Sequence, residues 1–169
     1  LLVSKNTDGV PGNNTSNDTD IDASGRYIVF ESTATNLSAA ATSGRFNVYR
    51  KDTVTGDIVL VSMNESGVEA DNIARNASIS PDGRFVAFES TAGNLVSVAT
   101  TLGRSHIYRK DMVENKIMLV SMNESGEEAN LIARNPSLSC NGKCVVFEST
   151  ASNLVSPATT LNRLHVYRK

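Results

Sequence analysis

Both cysteines of the chain lie in one pentapeptide, Cys140-Asn141-Gly142-Lys143-Cys144. Zinc would need two more soft ligands beside them, and none is at hand. A thiol redox motif has two residues between its cysteines, whereas this one has three. What remains is a structural disulfide, Cys140 to Cys144, across a turn tight enough to bring Cα atoms to ~5.5 Å. Such a bond points to an oxidising compartment. A second candidate is the run Asp18, Asp20 and Asp22. Period two puts all three carboxylates on one strand face. That face suits calcium, or it is a polar face toward a wet channel. The equivalent residues Asn76, Ser78 and Ser80 are polar without being ligand-like, which favours the channel.

The remaining reactive side chains repeat. His106 and His165 occupy one repeat position. Equivalent residues of stacked sheets lie ~10 Å apart, too far to share one metal. Glu31, Glu89 and Glu148 recur, as do Arg50, Arg109 and Arg168, and cross-strand ion pairs are expected between the two sets. Copying into every unit argues for scaffold, since catalytic groups break symmetry. No serine stands in a nucleophile elbow, and no phosphate or dinucleotide loop is present. No catalytic residue, cofactor or resident metal is expected.

These residues are positioned by a repeat. Phe-Glu-Ser-Thr begins at Phe30, Phe88 and Phe147, and Tyr-Arg-Lys begins at Tyr49, Tyr108 and Tyr167. Leu-Val-Ser begins at Leu2, Leu60 and Leu119. Residues 60–110 and 119–169 agree at 36 of 51 positions. Each unit of about 59 residues reads as four short strands. In the second, strand a is Ala77–Ser80, strand b Phe85–Ser90, strand c His106–Asp111 and strand d Lys116–Met122. Strand b is apolar on both faces, which suits a small sheet packed between neighbours. Four-stranded antiparallel sheets repeated along a chain describe a β-propeller. A solenoid is the competing architecture, but its coils are usually much shorter.

The segments "ASISPDGRFVAFEST" and "PSLSCNGKCVVFEST", with the downstream Asn-Leu, Tyr-Arg-Lys and Leu-Val-Ser elements, resemble the TolB-type β-propeller repeat of bacteria. The resemblance covers essentially the whole chain. It departs at Ser24 and Asn141, which replace the turn aspartate, and at Asn47, His106 and His165, which replace the aspartate opening strand c. The resemblance implies an all-β, non-enzymatic protein-binding or scaffold propeller of a secreted or envelope protein, located outside the cell, on its surface or in the periplasm. Alternatives are a structural subunit of an extracellular assembly, or the propeller part of a larger hydrolase or lyase.

The 169 residues are expected to form one domain: strand d at 1–6, blades at 18–64 and 76–123, and an incomplete blade at 135–169. Propellers have 4–8 blades. The chain is therefore half of a six-bladed ring closed by a second copy, whose N-terminal strand completes the third blade, or a piece of a longer propeller. Partners are a protein or a second copy. The net charge of −2, with both signs interspersed, argues against nucleic acid, and no apolar run suits membrane insertion. Partner contacts are expected on the rim formed by the long b–c segments and the d–a segments. Arg75 and Arg134, just before strand a, are the candidate interaction residues, unless they only pair with Glu69 and Glu128.

Overall fold

Three antiparallel sheets follow one another in the computed structural model, which describes residues 1–169. The first contains β1 (Ser16–Ile21), β2 (Tyr27–Ser32), β3 (Asn47–Asp52) and β4 (Ile58–Leu60). The second contains β5 (Ala74–Ile79), β6 (Phe85–Ser90), β7 (His106–Asp111) and β8 (Lys116–Leu119). The third contains β9 (Ala133–Leu138), β10 (Val145–Ser149) and β11 (His165–Arg168) and has no outermost strand. Within each sheet, chain order is spatial order, so each is a β-meander blade with strands a to d. No helix is long and apolar enough to cross a membrane.

Blades pack face to face, and strand b shows why its residues are apolar on both sides. Phe88 stacks on Tyr108 of its own blade, with ring centroids 5.8 Å apart. This pair faces the preceding blade and joins a core containing Val29, Val48 and Val61 of blade 1. On the opposite face, Ala87, Ile107 and Val120 join Phe147 and Tyr167 of blade 3. Each fully buried aromatic contributes roughly 2–3 kcal/mol by removal from water.

Strand a begins earlier than expected because it contains a bulge. The ladder slips between Asn17 and Thr19, and again between Arg75 and Ser78. Asp18, Asn76 and Asn135 take left-handed conformations there, with φ of 46°, 51° and 55°. Asparagine and aspartate tolerate that region better than other side-chain-bearing residues. Residues 1–4 form no strand. Lys5 pairs with Pro11 in an isolated bridge, as Met63 pairs with Glu69 and Met122 with Glu128. The first segment therefore repeats the bridge of the later d–a crossings.

Candidate interaction face

The repeated words are wiring between blades. In Tyr-Arg-Lys, Tyr108 donates from its hydroxyl to Ala92 O at 3.2 Å, inside its own blade. Arg109 donates forward to Gly142 O of blade 3 at 3.0 Å, and buried Lys110 donates backward to Met63 O at 3.1 Å. Blade 1 does the same with Arg50 to Gly83 O at 2.7 Å and Lys51 to Lys5 O at 3.0 Å. The arginine lies over an aromatic ring, Arg50 on Tyr27 and Arg109 on Phe85. The hairpin glycine of the next blade closes against that same ring. A Cβ on Gly83 would sit 2.2 Å from Tyr27, and one on Gly142 would sit 2.2 Å from Phe85. Both glycines also have positive φ, so glycine is required there twice over.

The glutamate of Phe-Glu-Ser-Thr makes a second link. Glu31 accepts the N–H of Asn76, the bulge residue of blade 2, and Glu89 accepts the N–H of Asn135 at 3.3 Å. The expected pairing of these glutamates with Arg50 and Arg109 does not occur. Glu89 stands opposite Ile107, while Arg109 stands opposite Ala87, two residues along. The cationic partners are instead Arg75, 2.8 Å from Glu89, and Arg134, 3.1 Å from Glu148. Both arginines remain about half exposed, and neither pairs with Glu69 or Glu128.

Those two glutamates belong to a third link, which the sequence reading missed. Each leaves a d–a segment and enters a seat made by the b–c segment of the preceding blade. Glu69 accepts from Thr42 N at 3.0 Å, Ser43 Oγ at 2.5 Å and Asn47 Nδ2 at 2.7 Å. Glu128 accepts from Thr101 N at 2.9 Å, from the Thr101 hydroxyl and from Arg104 Nη1 at 3.0 Å. Burial pushes the Glu128 carboxyl up, but the Thr101 bonds and the Arg104 charge outweigh it and hold the group below its ordinary value. His106 Nε2 lies 3.2 Å from Glu128 Oε2 without hydrogen-bond alignment. The imidazole is fully buried, which lowers its pKa and keeps it neutral at pH 7. A glutamate recurring at 69 and 128, with Pro11 in the first unit, was the available signal.

The three aspartates do not converge. The bulge at Asp18 breaks the period-two alternation. Asp18 lies beside Glu31, and Asp20 accepts from Ile79 N of blade 2 at 2.9 Å. Asp22 closes its own hairpin, accepting from Ser24 Oγ at 2.5 Å and Tyr27 N at 2.8 Å. Ser80 and Asp82 form the same hairpin contact in blade 2 with the two residue types exchanged.

The expected Cys140–Cys144 disulfide is not formed in the structure; both thiols are free. Ser139, not Cys140, faces Cys144 across the hairpin: Ser139 N donates to Cys144 O, and Cys144 N to Ser139 Oγ, each at 3.0 Å. Cys140 lies exposed in the turn. Cys144 Sγ accepts from Arg168 Nη2 at 3.0 Å, taking the place of the ring under that arginine in blades 1 and 2.

At blade 3 the wiring is open. Val146 is 41% exposed and Val166 72%, where Ala87 and Ile107 are fully buried. Thr160 and Arg163, counterparts of Thr101 and Arg104, are exposed. The far side of blade 1 is also open, with a cleft lined by Leu2, Ile21, Ile28 and Phe30.

No family model matches the chain, and no curated protein does. Solved structures do. A TolB from Acinetobacter baumannii matches at TM-score 0.52 and 16% identity, over 92% of this chain and 29% of that one. A TolB described as putative, from Agrobacterium tumefaciens, matches at 0.53 and 16%, over 90% of this chain and 45% of that one. The tricorn protease matches at 0.51 and 17%, over 91% of this chain and 13% of that one. The chain thus spans less than half the length of each. At this identity the likeness concerns the fold, and it agrees with the blade-to-blade packing above: the fold is a TolB-like β-propeller, of which this chain carries two four-stranded blades and a third with three strands.

Proposed function

We propose that this propeller is a non-enzymatic protein-binding or scaffold module of a secreted or cell-envelope protein. The observation that carries this is the engagement of its chemically capable side chains. Glu31, Glu89, Arg50, Arg109, Lys110, Glu69 and Glu128 all hold one blade to another. Along the rim the b–c and d–a segments face solvent, with Arg75 and Arg134 half exposed beside their glutamates. Loops on a rigid scaffold are where partners bind. An exported location is supported by the repeat resemblance and no longer leans on the cysteine pair.

The test is retention of a partner from an envelope extract on the immobilised chain. The Arg75→Glu/Arg134→Glu variant should lose a partner that the wild type holds. Equal retention by both overturns the rim assignment. Turnover of polysaccharide or peptide by the chain overturns the non-enzymatic reading and favours the propeller part of a larger hydrolase or lyase.

A second reading is self-association, favoured by the two open apolar faces, at Val146 and Val166 on one side and at Ile21 and Ile28 on the other. Light scattering would then give twice 18.1 kDa for a closed pair, and larger polymers for an extracellular assembly. A folded monomer at high concentration would sink it.

A further inference from the structure

We propose that Asn141–Gly142, in the hairpin of blade 3, is a site of hydrolytic self-modification that gives the joint between blades 2 and 3 two fates. Loss of the side-chain amide yields aspartate, which fits the hairpin, or isoaspartate, which forces the hairpin out of that joint. The proposal is independent of the protein-binding reading.

Asn141 is the only asparagine of the chain that is followed by glycine. With no Cβ on residue 142, little shields its main-chain nitrogen from the Asn141 amide carbon. That nitrogen attacks Cγ: a Cγ–N bond forms and the Cγ–Nδ2 bond breaks. The Gly142 N–H proton leaves with Nδ2 as ammonia. Water then opens the cyclic imide, adding hydroxyl to one carbonyl carbon and a proton to the Gly142 nitrogen. Opening at Cγ gives aspartate, and opening at the main-chain carbon gives isoaspartate. The hairpin assists the attack. Ser139 Oγ and Lys143 N donate to Asn141 Oδ1, at 2.8 and 3.1 Å, where negative charge develops. Asn141 is exposed, so water reaches it. One bond opposes the attack, from Gly142 N to Ser139 O at 2.8 Å. Opening a single turn bond slows the reaction by up to about tenfold.

The aspartate product has a template in blade 2. There Asp82 stands in the same place and accepts from the Ser80 hydroxyl, and from Arg84 N at 3.0 Å. The Ser80 bond, helped by that from Arg84, outweighs burial and holds the Asp82 carboxyl below its ordinary value. Blade 3 offers the same two donors, Ser139 and Lys143, and a carboxylate strengthens both bonds. Isoaspartate instead adds a methylene to the main chain between residues 141 and 142, lengthening it by about 1.5 Å. Gly142 has no room for that shift. Its carbonyl accepts from Arg109 Nη1 at 3.0 Å, and the Lys143 carbonyl accepts from the same nitrogen at 3.2 Å. On its other side a Cβ would already sit 2.2 Å from the Phe85 ring.

The experiment incubates the full chain and a free peptide of residues 137–146 side by side at mildly alkaline pH. Residue 141 is followed by mass spectrometry and by isoaspartate-specific methyl transfer. In the folded chain it should convert ahead of every other asparagine, at a rate within about tenfold of the peptide's. A slower rate, or equal conversion at another asparagine, overturns the site. The two products are then separated by ion exchange and melted. The aspartate form, and the Asn141→Asp variant that reproduces it, should gain about 1–3 °C in Tm. The isoaspartate form should melt at least about 5 °C below the unmodified chain. Equal melting of the two products overturns the two fates. In an Arg109→Ala chain, where the joint has already lost its guanidinium, isoaspartate should lower Tm by about half as much. An undiminished loss there would confine the damage to the hairpin and overturn its link to the joint.

Discussion

The first two blades share one backbone link and differ in its electrostatics. In both, a glutamate ending strand b accepts the N–H of a left-handed residue in the next blade. Glu89 also holds Arg75 from its own strand a. Glu31 instead faces Asn17 and has the Asp18 carboxylate beside it. Burial, reinforced by Asp18 against the pull of the Asn76 N–H, pushes the Glu31 carboxyl up to about 7. A residue can thus repeat while its electrostatic surroundings do not. The link needs an acceptor oxygen, and a protonated carboxyl still supplies one.

The largest test of the comparison is at the hairpins. Gly25 and Gly83 both have positive φ, but a Cβ on Gly25 would meet only Ile21, at 3.9 Å, whereas one on Gly83 would strike the Tyr27 ring. Gly83→Ala should cost about 3 kcal/mol or more, combining backbone strain with overpacking, and Gly25→Ala about 1 kcal/mol. Urea unfolding of the two variants reads the difference. Similar losses would mean that closure of the glycine on the ring carries little.

Next is Glu31→Gln, which should stabilise the protein at pH 8 by about 1–3 kcal/mol, while Glu89→Gln should destabilise it. The sign follows from proton uptake. Glu31 in the fold stays protonated up to about 7, and in the unfolded chain only to about 4.3. Between those values the folded state binds more protons, so this contribution is complete below about pH 4.3 and is lost as pH rises through 7. Wild-type stability should carry that fall, and Glu31→Gln should lack it. A profile unchanged by the substitution would remove Glu31 as its source.

Asn17→Arg should make blade 1 resemble blade 2, adding roughly 0.5–1 kcal/mol at pH 8 through a partly exposed pair. The smallest effect is at the third hairpin. Cys140→Ser should change stability by less than about 0.5 kcal/mol, as for an exposed turn residue. Two thiols should titrate in the native wild type, and finding none would mean that Cys140 swings in to close the disulfide.

Much of the fold was legible because strands b and c carry their signal locally. Phe85–Ser90 and His106–Asp111 follow from apolar runs bounded by turn residues. Strand a was shortened in the reading because nothing marks Asn76 as a bulge until its φ is seen. The same bulge scattered the aspartates that simple alternation would align. The ion pairs were assigned to the wrong arginines because motif words do not reveal register: Glu89 and Arg109 recur together but stand opposite different residues. The glutamate seat was missed because its parts come from segments separated by a whole strand and turn, Thr101 and Glu128. Arg75 and Arg134 recur at one repeat position, and their ion-pair partners lie on strand b of their own blades.

One property of the arginine contact reaches beyond the single interface. Arg50 and Arg109 reach forward while Lys51 and Lys110 reach back, so neither of these blade-to-blade contacts is its own mirror. The array is a polar polymer with a head and a tail. Copies joined through this same contact would run head to tail, giving a ring if the rotation closes and a filament if it does not. One capping segment at the tail would be enough to stop growth there.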